Sequence, residues 1–382
     1  MKRFGDIDWT SSMIRTFEFY TVDPLTWRDR AELTKVSSFS IQIDDETDTI
    51  MTANVSCDDQ IGEEYVRAYM RITQPNVPEY VEPIGTFLLQ SPSVNFDGIR
   101  NTSECSGYSP LIELKENQPP VGYYIPTNSN IADFAETIIE DNSRLKYTKL
   151  IPDSVAKSTV GYDFAANEDD TWLRFLSDWV AISDRRVSID ANGRLIFVPI
   201  QSIDQMTPVW SFTNGENSIM DPNISYTSDW YGIPNQYIAT FTASNYTYTS
   251  IATNTDTNSP TSVPNRGRVI TKFDRQPEIS GIPSQAILDE YAKTQLISLS
   301  TLTYEVQFKH AYCPVEVGDC VTLKYPEAGL NGVKARIVRQ DFQCDAAMTV
   351  NATAQFQVKT YDPTLTSLNR RDSSTNINKI TF

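Results

Sequence analysis

A β-rich α+β fold follows from three features of the sequence. Runs of period-2 alternation occupy both ends, helical periodicity occupies the middle, and turn residues punctuate the rest. The strand-like runs form two groups. They predict two small antiparallel barrel or sandwich domains, residues 1–125 and 201–362, with a helical and hairpin insertion at 126–200 and an extended tail at 363–382.

In the first group, Phe39, Ile41 and Ile43 alternate with Ser and Gln, and Met51, Ala53, Val55 and Cys57 alternate with Thr, Asn and Ser. Val66, Ala68, Met70 and Ile72 alternate with Tyr65, Arg67, Tyr69 and Arg71, and Gly85 to Leu89 leads toward a hairpin turned at Asp97-Gly98. One face of each run is apolar and the other polar, which suits a sheet packed on a core from one side. Gln118-Pro119-Pro120 closes this group.

The insertion opens where Asn130 can cap a helix with Asp133 three residues on; Ile131, Phe134, Ala135, Ile138 and Ile139 form its apolar stripe. Further on, Trp172, Phe175, Leu176, Trp179 and Val180 fall at i, i+3, i+4, i+7 and i+8 and share one helical face. Glu168, Asp169 and Asp170 ahead of them suit a helix N-terminus, where unpaired N–H groups favour negative charge. A hairpin follows, running from Arg186 to Asp190 and from Arg194 to Val198 about Ala191-Asn192-Gly193. Asn-Gly supplies the positive φ angles of a tight turn.

Strand signals resume from Val209 to Phe212 and from Gln236 to Thr242. Residues 243–265 are dominated by Thr, Ser and Asn, with Pro260 and Pro264, and predict a long exposed loop because few apolar side chains could anchor it. Val269 to Phe273 reads as a strand, and Pro283-Ser284 opens a helix over 284–299 that carries Ile287, Leu288, Tyr291, Ala292 and Leu296. The runs from Leu302 to His310, Val315 to Tyr325, Val333 to Asp345 and Met348 to Tyr361 complete the second group. Asn331-Gly332 and Asp345-Ala346-Ala347 turn two of its connections. Arg370 to Phe382 is polar and reads as tail.

A chain of 382 residues has room for roughly two to four compact units. Its 49 acidic and 32 basic residues give a net charge of −17, a balance that repels nucleic acid, whose backbone is held by Lys and Arg. The start, Met1-Lys2-Arg3-Phe4-Gly5-Asp6, lacks the apolar core of a signal peptide, and no run approaches the ~18 apolar residues of a membrane span. Stable membrane insertion is not expected. Cys57, Cys105, Cys313, Cys320 and Cys344 are odd in number and widely spaced, which suits reduced thiols in a protein made in a cytoplasm.

Catalytic sets are missing from the pattern. His310 is the sole histidine, in a strand-like run beside Lys309 and Tyr312, so a structural role is expected. Gly107-Tyr108-Ser109-Pro110-Leu111 begins like a nucleophile elbow but lacks the second glycine, and reads as a turn. Asp190-x-Asn192-Gly193 resembles the opening of a calcium loop, but Ser188 stands where the first ligand belongs and no Glu closes it. Asp44-Asp45-Glu46-Thr47-Asp48 is a candidate cation site, although an acidic turn between two strands explains it without an ion. Paired carboxylates for glycoside cleavage carry no signal among 49 acids. No catalytic, cofactor-binding or metal-binding residue is therefore assigned, and no enzymatic activity or cofactor is expected.

Three ordered stretches resemble the baseplate-hub family of tailed phages. That family includes the hub of contractile phages, the N-terminal part of long-tailed phages' tip proteins and the base of type VI secretion spikes. The first stretch is EPIGTFLLQSPSVNFDG (Glu82 to Gly98) with GYSPLIELKENQPPVGY (Gly107 to Tyr123). The second is DDTWLRFLSDW (Asp169 to Trp179) with its hairpin. The third is HAYCPVEVGDCVTLKY (His310 to Tyr325), where Val317-Gly318-Asp319-x-Val321 resembles the entry to the family's last barrel. The resemblance covers about Ile14 to Tyr361. It implies that both β-domains are tube-forming and that three chains build a pseudo-sixfold ring between a hexameric tail tube and a threefold spike or tip.

Implied partners are further copies of the chain, a tail tube or distal tail protein, a spike or tip protein, a tape measure protein, and DNA that only passes through the lumen. The implied place is the virion tail. The acidic excess would then lie either on the lumen wall, where it repels DNA, or on the outer surface, where it serves solubility. Two other function classes compete: a receptor- or carbohydrate-binding tail protein using its 6 Trp, 19 Tyr and 17 Phe, and a glycoside hydrolase or esterase. A hub of a related contractile injection particle is a variant of the first reading.

Overall fold

The computed structural model describes residues 6–58, 61–96, 98–99, 101–152, 154, 157–215, 218–243, 246–277, 284–358 and 363–371. The chain divides into two compact units, residues 1–225 with 307–354, and residues 226–306 with 355–382. The fold is β-rich α+β.

The first unit opens with β1 (Ile14–Val22), β2 (Asp29–Glu32), β3 (Val36–Asp44), β4 (Met51–Cys57), β5 (Glu64–Thr73), β6 (Tyr80–Phe96) and β7 (Asn101–Tyr108). Then come α1 (Ile112–Lys115), β8 (Tyr124–Ile125), α2 (Ile131–Asn142), β9 (Phe164–Ala165), α3 (Trp172–Ala181), β10 (Arg185–Ile189), β11 (Leu195–Pro199) and β12 (Trp210–Thr213). The remaining elements are β13 (Met220–Ser228), β14 (Gln236–Ala243), β15 (Tyr246–Thr253), α4 (Val263–Arg266), β16 (Thr271–Arg275), α5 (Gln285–Ser300), β17 (Leu302–Ala311), β18 (Cys320–Tyr325), β19 (Leu330–Gln343), β20 (Thr349–Val358) and β21 (Thr364–Arg371).

A 13-stranded sheet runs in the order β13-β17-β20-β19-β3-β4-β7-β6-β5-β1-β2, with β18 beside β19 and β12 parallel to β18. This order is open: its end strands do not pair to close a barrel among the described residues. The alternation that marked the runs places Phe39, Ile41, Ala53, Val55, Phe87 and Leu89 inward, each at most 3 % exposed. Phe39 lies between Phe19, stacked at 4.6 Å, and Phe87 at 5.8 Å. β6 and β7 form the expected hairpin, pairing Phe96 with Asn101; of its turn, Asp97 lies outside the described residues.

The insertion is also as its periodicity indicated. The Asn130 side chain accepts from the Ala132 and Asp133 N–H groups and caps α2. Trp172, Phe175, Leu176, Trp179 and Val180 of α3 are all buried. Tyr123, Phe164, Trp172, Phe175 and Trp179 form one aromatic cluster with centroids 4.9–6.0 Å apart, and the Trp179 indole donates to the Ile131 carbonyl at 3.0 Å. The cap of α3 differs from expectation. Thr171, not an acid, accepts from the Arg174 N–H at 3.2 Å, while the buried Asp170 accepts from Asn167 at 2.8 and 3.1 Å and shapes the preceding turn.

In the second unit, the sheet β16-β14-β15-β21 carries α5 on one face. Tyr237, Ala239, Ala252, Leu288, Ala292 and Leu296 form the core between them. The Asp274 carboxylate accepts from the Tyr237 and Tyr291 hydroxyls at 2.9 and 2.8 Å. The expected loop at 243–265 is a correction. Residues 246–253 are a strand, and Asn254, Ser259, Thr261 and Ser262 beyond it are buried. They bond one another instead of water: the Asn254 amide donates to Ser259 at 2.9 Å and Thr261 at 3.3 Å, and Thr261 donates to the Ser300 carbonyl at 3.2 Å. Ala252 and Tyr248 anchor the strand in the core, and the polar stretch beyond it is ordered by internal hydrogen bonding.

Asn331-Gly332 is a second correction. The reversal between β18 and β19 lies at residues 326–329, with Gly329 at φ +79°, and Asn331 and Gly332 sit inside β19 where its register shifts by one residue. The tail read from Arg370 begins within β21, and from residue 372 onward it lies outside the described residues.

Candidate functional site

The β10–β11 hairpin is docked by its tip on the large sheet. Asp190 closes the turn itself: its carboxylate accepts from the Arg194 N–H at 2.9 Å and pairs with the Arg194 guanidinium at 2.8 Å. Gly193 has φ +79°, and a Cβ at this position would lie 2.9 Å from the Trp27 ring and 3.1 Å from Thr86. Both the turn and the close approach therefore require glycine.

Two side chains grip the neighbouring carbonyls. Thr86 donates to the Ala191 carbonyl at 2.9 Å, and Arg67 donates to the Asn192 carbonyl at 3.0 Å. Arg67 is 6 % exposed, and it also bonds Thr86 at 3.0 Å and Asp29 at 2.8 Å. Sequence reasoning assigned Arg67 to a polar face but could not find its partner, because the hairpin that covers it lies 125 residues away.

At the base of the hairpin, Asp45 is clamped. Its two carboxylate oxygens accept from Arg186 and Arg336, and its N–H donates to the Val338 carbonyl at 2.9 Å. This is where the acidic stretch 44–48 leads: Asp45 is buried in an ion-paired junction, and Lys115 lies 3.0 Å from Asp48. Among the described residues no group of three or more His, Cys, Asp or Glu side chains could hold a metal ion.

Beside this junction lies a cavity of about 390 Å³ walled by Ile43, Ile84, Ile196, Val198, Val315 and Phe342. Asp45, Arg186 and Arg336 stand at its polar side, with Glu82 and Tyr312. Glu82 accepts from the Tyr80 hydroxyl at 2.5 Å and the Tyr312 hydroxyl at 3.0 Å. Burial, together with that carboxylate, pushes the Tyr312 phenol well above its usual range.

The outward face of the sheet has its own composition. In one row across five strands stand Gln343, Ser40, Asn54, Ser106 and Gln90, paired in register. Ser38 and Ser56 flank it on one side and Gln42 and Thr52 on the other. Hydroxyls and amides dominate these rows; the charged Asp341 and Glu104 lie in the flanking rows, and Asp44 and Arg339 in the row beyond.

His310 is inside the core, 1 % exposed, with ring centroids 4.7 Å from Phe212 and 5.7 Å from Phe308. Its Nδ1 donates to the Ala311 carbonyl at 2.8 Å, and its buried Nε2 has no hydrogen-bond partner among the described residues. Desolvation lowers its pKa to about 4. Ser109, also buried, donates to the Thr49 carbonyl and serves a turn. No disulfide joins the five cysteines, and burial pushes the Cys313 thiol up to about 12.

No family model matches the chain, and no curated protein matches it in sequence. Solved structures do match in fold. The tail protein from Neisseria meningitidis MC58 aligns with TM-score 0.59 and 9 % identity, over 90 % of this chain and 96 % of that one. The 43 kDa tail protein of prophage MuSo2 from Shewanella oneidensis aligns with TM-score 0.59 and 11 % identity, over 88 % of this chain and 97 % of that one. A chain of a PdpA-VgrG complex aligns with TM-score 0.55 and 9 % identity, over 94 % of this chain and 66 % of that one. The chain has the fold of phage and prophage tail proteins and of VgrG-complex proteins, as the resemblance to the baseplate-hub family implied. No helix among the described residues is long and apolar enough to cross a membrane.

Proposed function

We propose that this chain is a structural hub of a phage tail, three copies of which form a ring that adapts the hexameric tail tube to a threefold spike or tip. The supporting observation is the extent of the fold likeness, which spans about nine tenths of this chain and nearly the full length of the two tail proteins. Partners on this reading are the tail tube or a distal tail protein, the spike or tip protein and the tape measure protein. DNA crosses the lumen without being held, and no covalent chemistry is asked of the chain. The likeness to the PdpA-VgrG complex extends the reading to a hub of a contractile injection particle.

Particles assembled without this chain test the proposal. Tails lacking a tip and unable to deliver DNA are expected; complete, infective tails would overturn it. A glycan-binding reading has one observation in its favour, the exposed Trp230 and Tyr231 at 38 % and 94 %, with Arg266 over the Trp230 ring at 6.0 Å. Glycan-array binding that is lost in Tyr231→Ala would favour it.

A further inference from the structure

We propose that the free edge of β16 is a docking site for an extended, acid-bearing segment of a partner protein, which joins the second unit's sheet as an added strand. The inference stands apart from the hub reading, because it rests on that edge and its charges alone.

β16 is an end strand of the order β16-β14-β15-β21. It pairs with β14 in parallel and without a bulge, from Gln236 with Thr271 to Thr240 with Arg275. The Ile270 carbonyl accepts from the Gln236 N–H at 3.1 Å, and the Gln276 N–H donates to the Thr240 carbonyl at 2.8 Å. By alternation the peptide groups of Thr271, Phe273 and Arg275 turn the other way, to an edge that no strand covers among the described residues. Such an edge is completed by another strand, whose backbone supplies the missing donors and acceptors.

Charge selects the strand. Residues 266–275 hold Arg266, Arg268, Lys272 and Arg275 against one acid, Asp274, in a chain of 49 acidic and 32 basic residues. No carboxylate pairs with any of these four cations among the described residues. Arg266 donates to the Ile233 and Trp230 carbonyls at 2.9 and 3.2 Å, and the Arg275 guanidinium lies 5.3 Å from the centre of the Phe273 ring. The Asp274 carboxylate is taken by the Tyr237 and Tyr291 hydroxyls. Asp229, at the Arg266 end, accepts from the Tyr231 N–H; with it counted, cations still outnumber acids by four to two. Glu278, the next acid along the chain, lies outside the described residues.

Like charges on an edge strand keep it from pairing with copies of itself. Lys272 and Arg275 do this for β16, but the same charges attract a strand that carries Glu or Asp. They stand on opposite faces of the sheet, Lys272 on the face of its pairing partner Tyr237 and Arg275 on that of Thr240. The matching strand therefore bears acids on both faces, three positions apart. Phe273 is 47 % exposed and Val269, just ahead of the strand, 53 %. Blocking an edge does not call for exposed apolar side chains; contact with an apolar residue of an incoming strand does. A nucleic acid would meet the cations but leave the backbone edge unpaired, so a polypeptide fits better.

Fluorescence anisotropy with the full chain and labelled peptides tests this. The probe is the peptide SETVETVTE. In antiparallel pairing its glutamates fall opposite Arg275, Lys272 and Arg268, and its first valine falls opposite Phe273. It should bind at least ten times more tightly than SKTVKTVTK. It should also exceed, by the same factor, SETVETVTE N-methylated at its second, fourth and sixth residues, which keeps the charge and removes the hydrogen bonds to the edge. Lys272→Glu with Arg275→Glu should weaken binding at least tenfold, with unchanged far-UV circular dichroism and melting temperature. Should that pair unfold the chain, Arg268→Glu, ahead of the strand, should still weaken binding at least threefold. Equal binding of the three peptides, or of wild type and the folded variant, would overturn the proposal. So would tighter binding of a thymidine oligonucleotide, which marks a nucleic-acid surface, or loss of self-association in the charge variant, which makes a second copy the occupant.

Discussion

Arg67, in the middle of a sheet strand, donates to the backbone carbonyl of Asn192 at the tip of a distant hairpin, at 3.0 Å. The same guanidinium pairs with Asp29 at 2.8 Å, so one buried cation ties the edge of the sheet to the insertion. Removing it leaves the Asn192 carbonyl without its donor, while the solvent-exposed Asp29 keeps the Tyr69 hydroxyl at 2.7 Å. Arg67→Ala should lower stability by about 1–3 kcal/mol, the usual effect of leaving a buried acceptor unsatisfied. Urea unfolding followed by tryptophan fluorescence checks this; a loss under ~1 kcal/mol would mean the hairpin tip is held by Thr86 and packing alone.

The aromatic face of α3 is a packing element. Trp179 is fully buried and its indole N–H is bonded, and Trp172 is 5 % exposed. Trp172→Ala and Trp179→Ala should each destabilise by about 3–5 kcal/mol through cavity formation. Thermal unfolding measures the effect. Wild-type stability combined with lost partner binding would show that this face is an interface.

His310 makes stability fall in mild acid. Its folded-state pKa of about 4 lies below the ordinary imidazole value of 6.5. The unfolded chain therefore takes up a proton at His310 below pH 6.5 that the folded chain resists until about pH 4. The stabilisation is complete above pH 6.5 and lost as pH falls through that window, by up to about 3 kcal/mol at 1.36 kcal/mol per pH unit. His310→Gln should flatten that part of the stability–pH curve. A variant curve parallel to wild type between pH 6.5 and 4 would contradict this.

The row Gln343, Ser40, Asn54, Ser106 and Gln90 offers DNA neither cations to bind nor carboxylates to push against. If the acidic excess serves the conduit, it does so from outside this row. On the hub reading, with this row turned to the lumen, Ser40→Lys and Asn54→Lys together should slow DNA ejection several-fold by ion pairing with phosphate. Stability should fall by no more than about 1 kcal/mol, because the two lysines face each other across paired strands. Ejection kinetics identical to wild type would place this face outside the conduit.

Much of the fold was legible because it rests on local periodicity. Phe39 and Ile41, Ala53 and Val55, and the Trp172 to Val180 stripe all face inward as their spacing indicated. What escaped the sequence depends on distant partners. Arg67 alternates like a surface residue and is buried only because the 185–199 hairpin covers it. Asp45 reads as part of a solvated acidic turn, yet Arg186 and Arg336 close over it from 141 and 291 residues away. The polar segment around Asn254 has the composition of an exposed loop, and its mutual hydrogen bonds are invisible to composition. Asn331-Gly332 carries a turn signal, but its positive φ is used in a strand irregularity instead.

The number of copies in the assembled particle tests the central claim most directly. A cryo-electron-microscopy reconstruction of the tail end should contain three copies of this chain in one ring, each supplying two β-domains to a sixfold-like tube. Six copies, or a single copy, at that level would contradict the account.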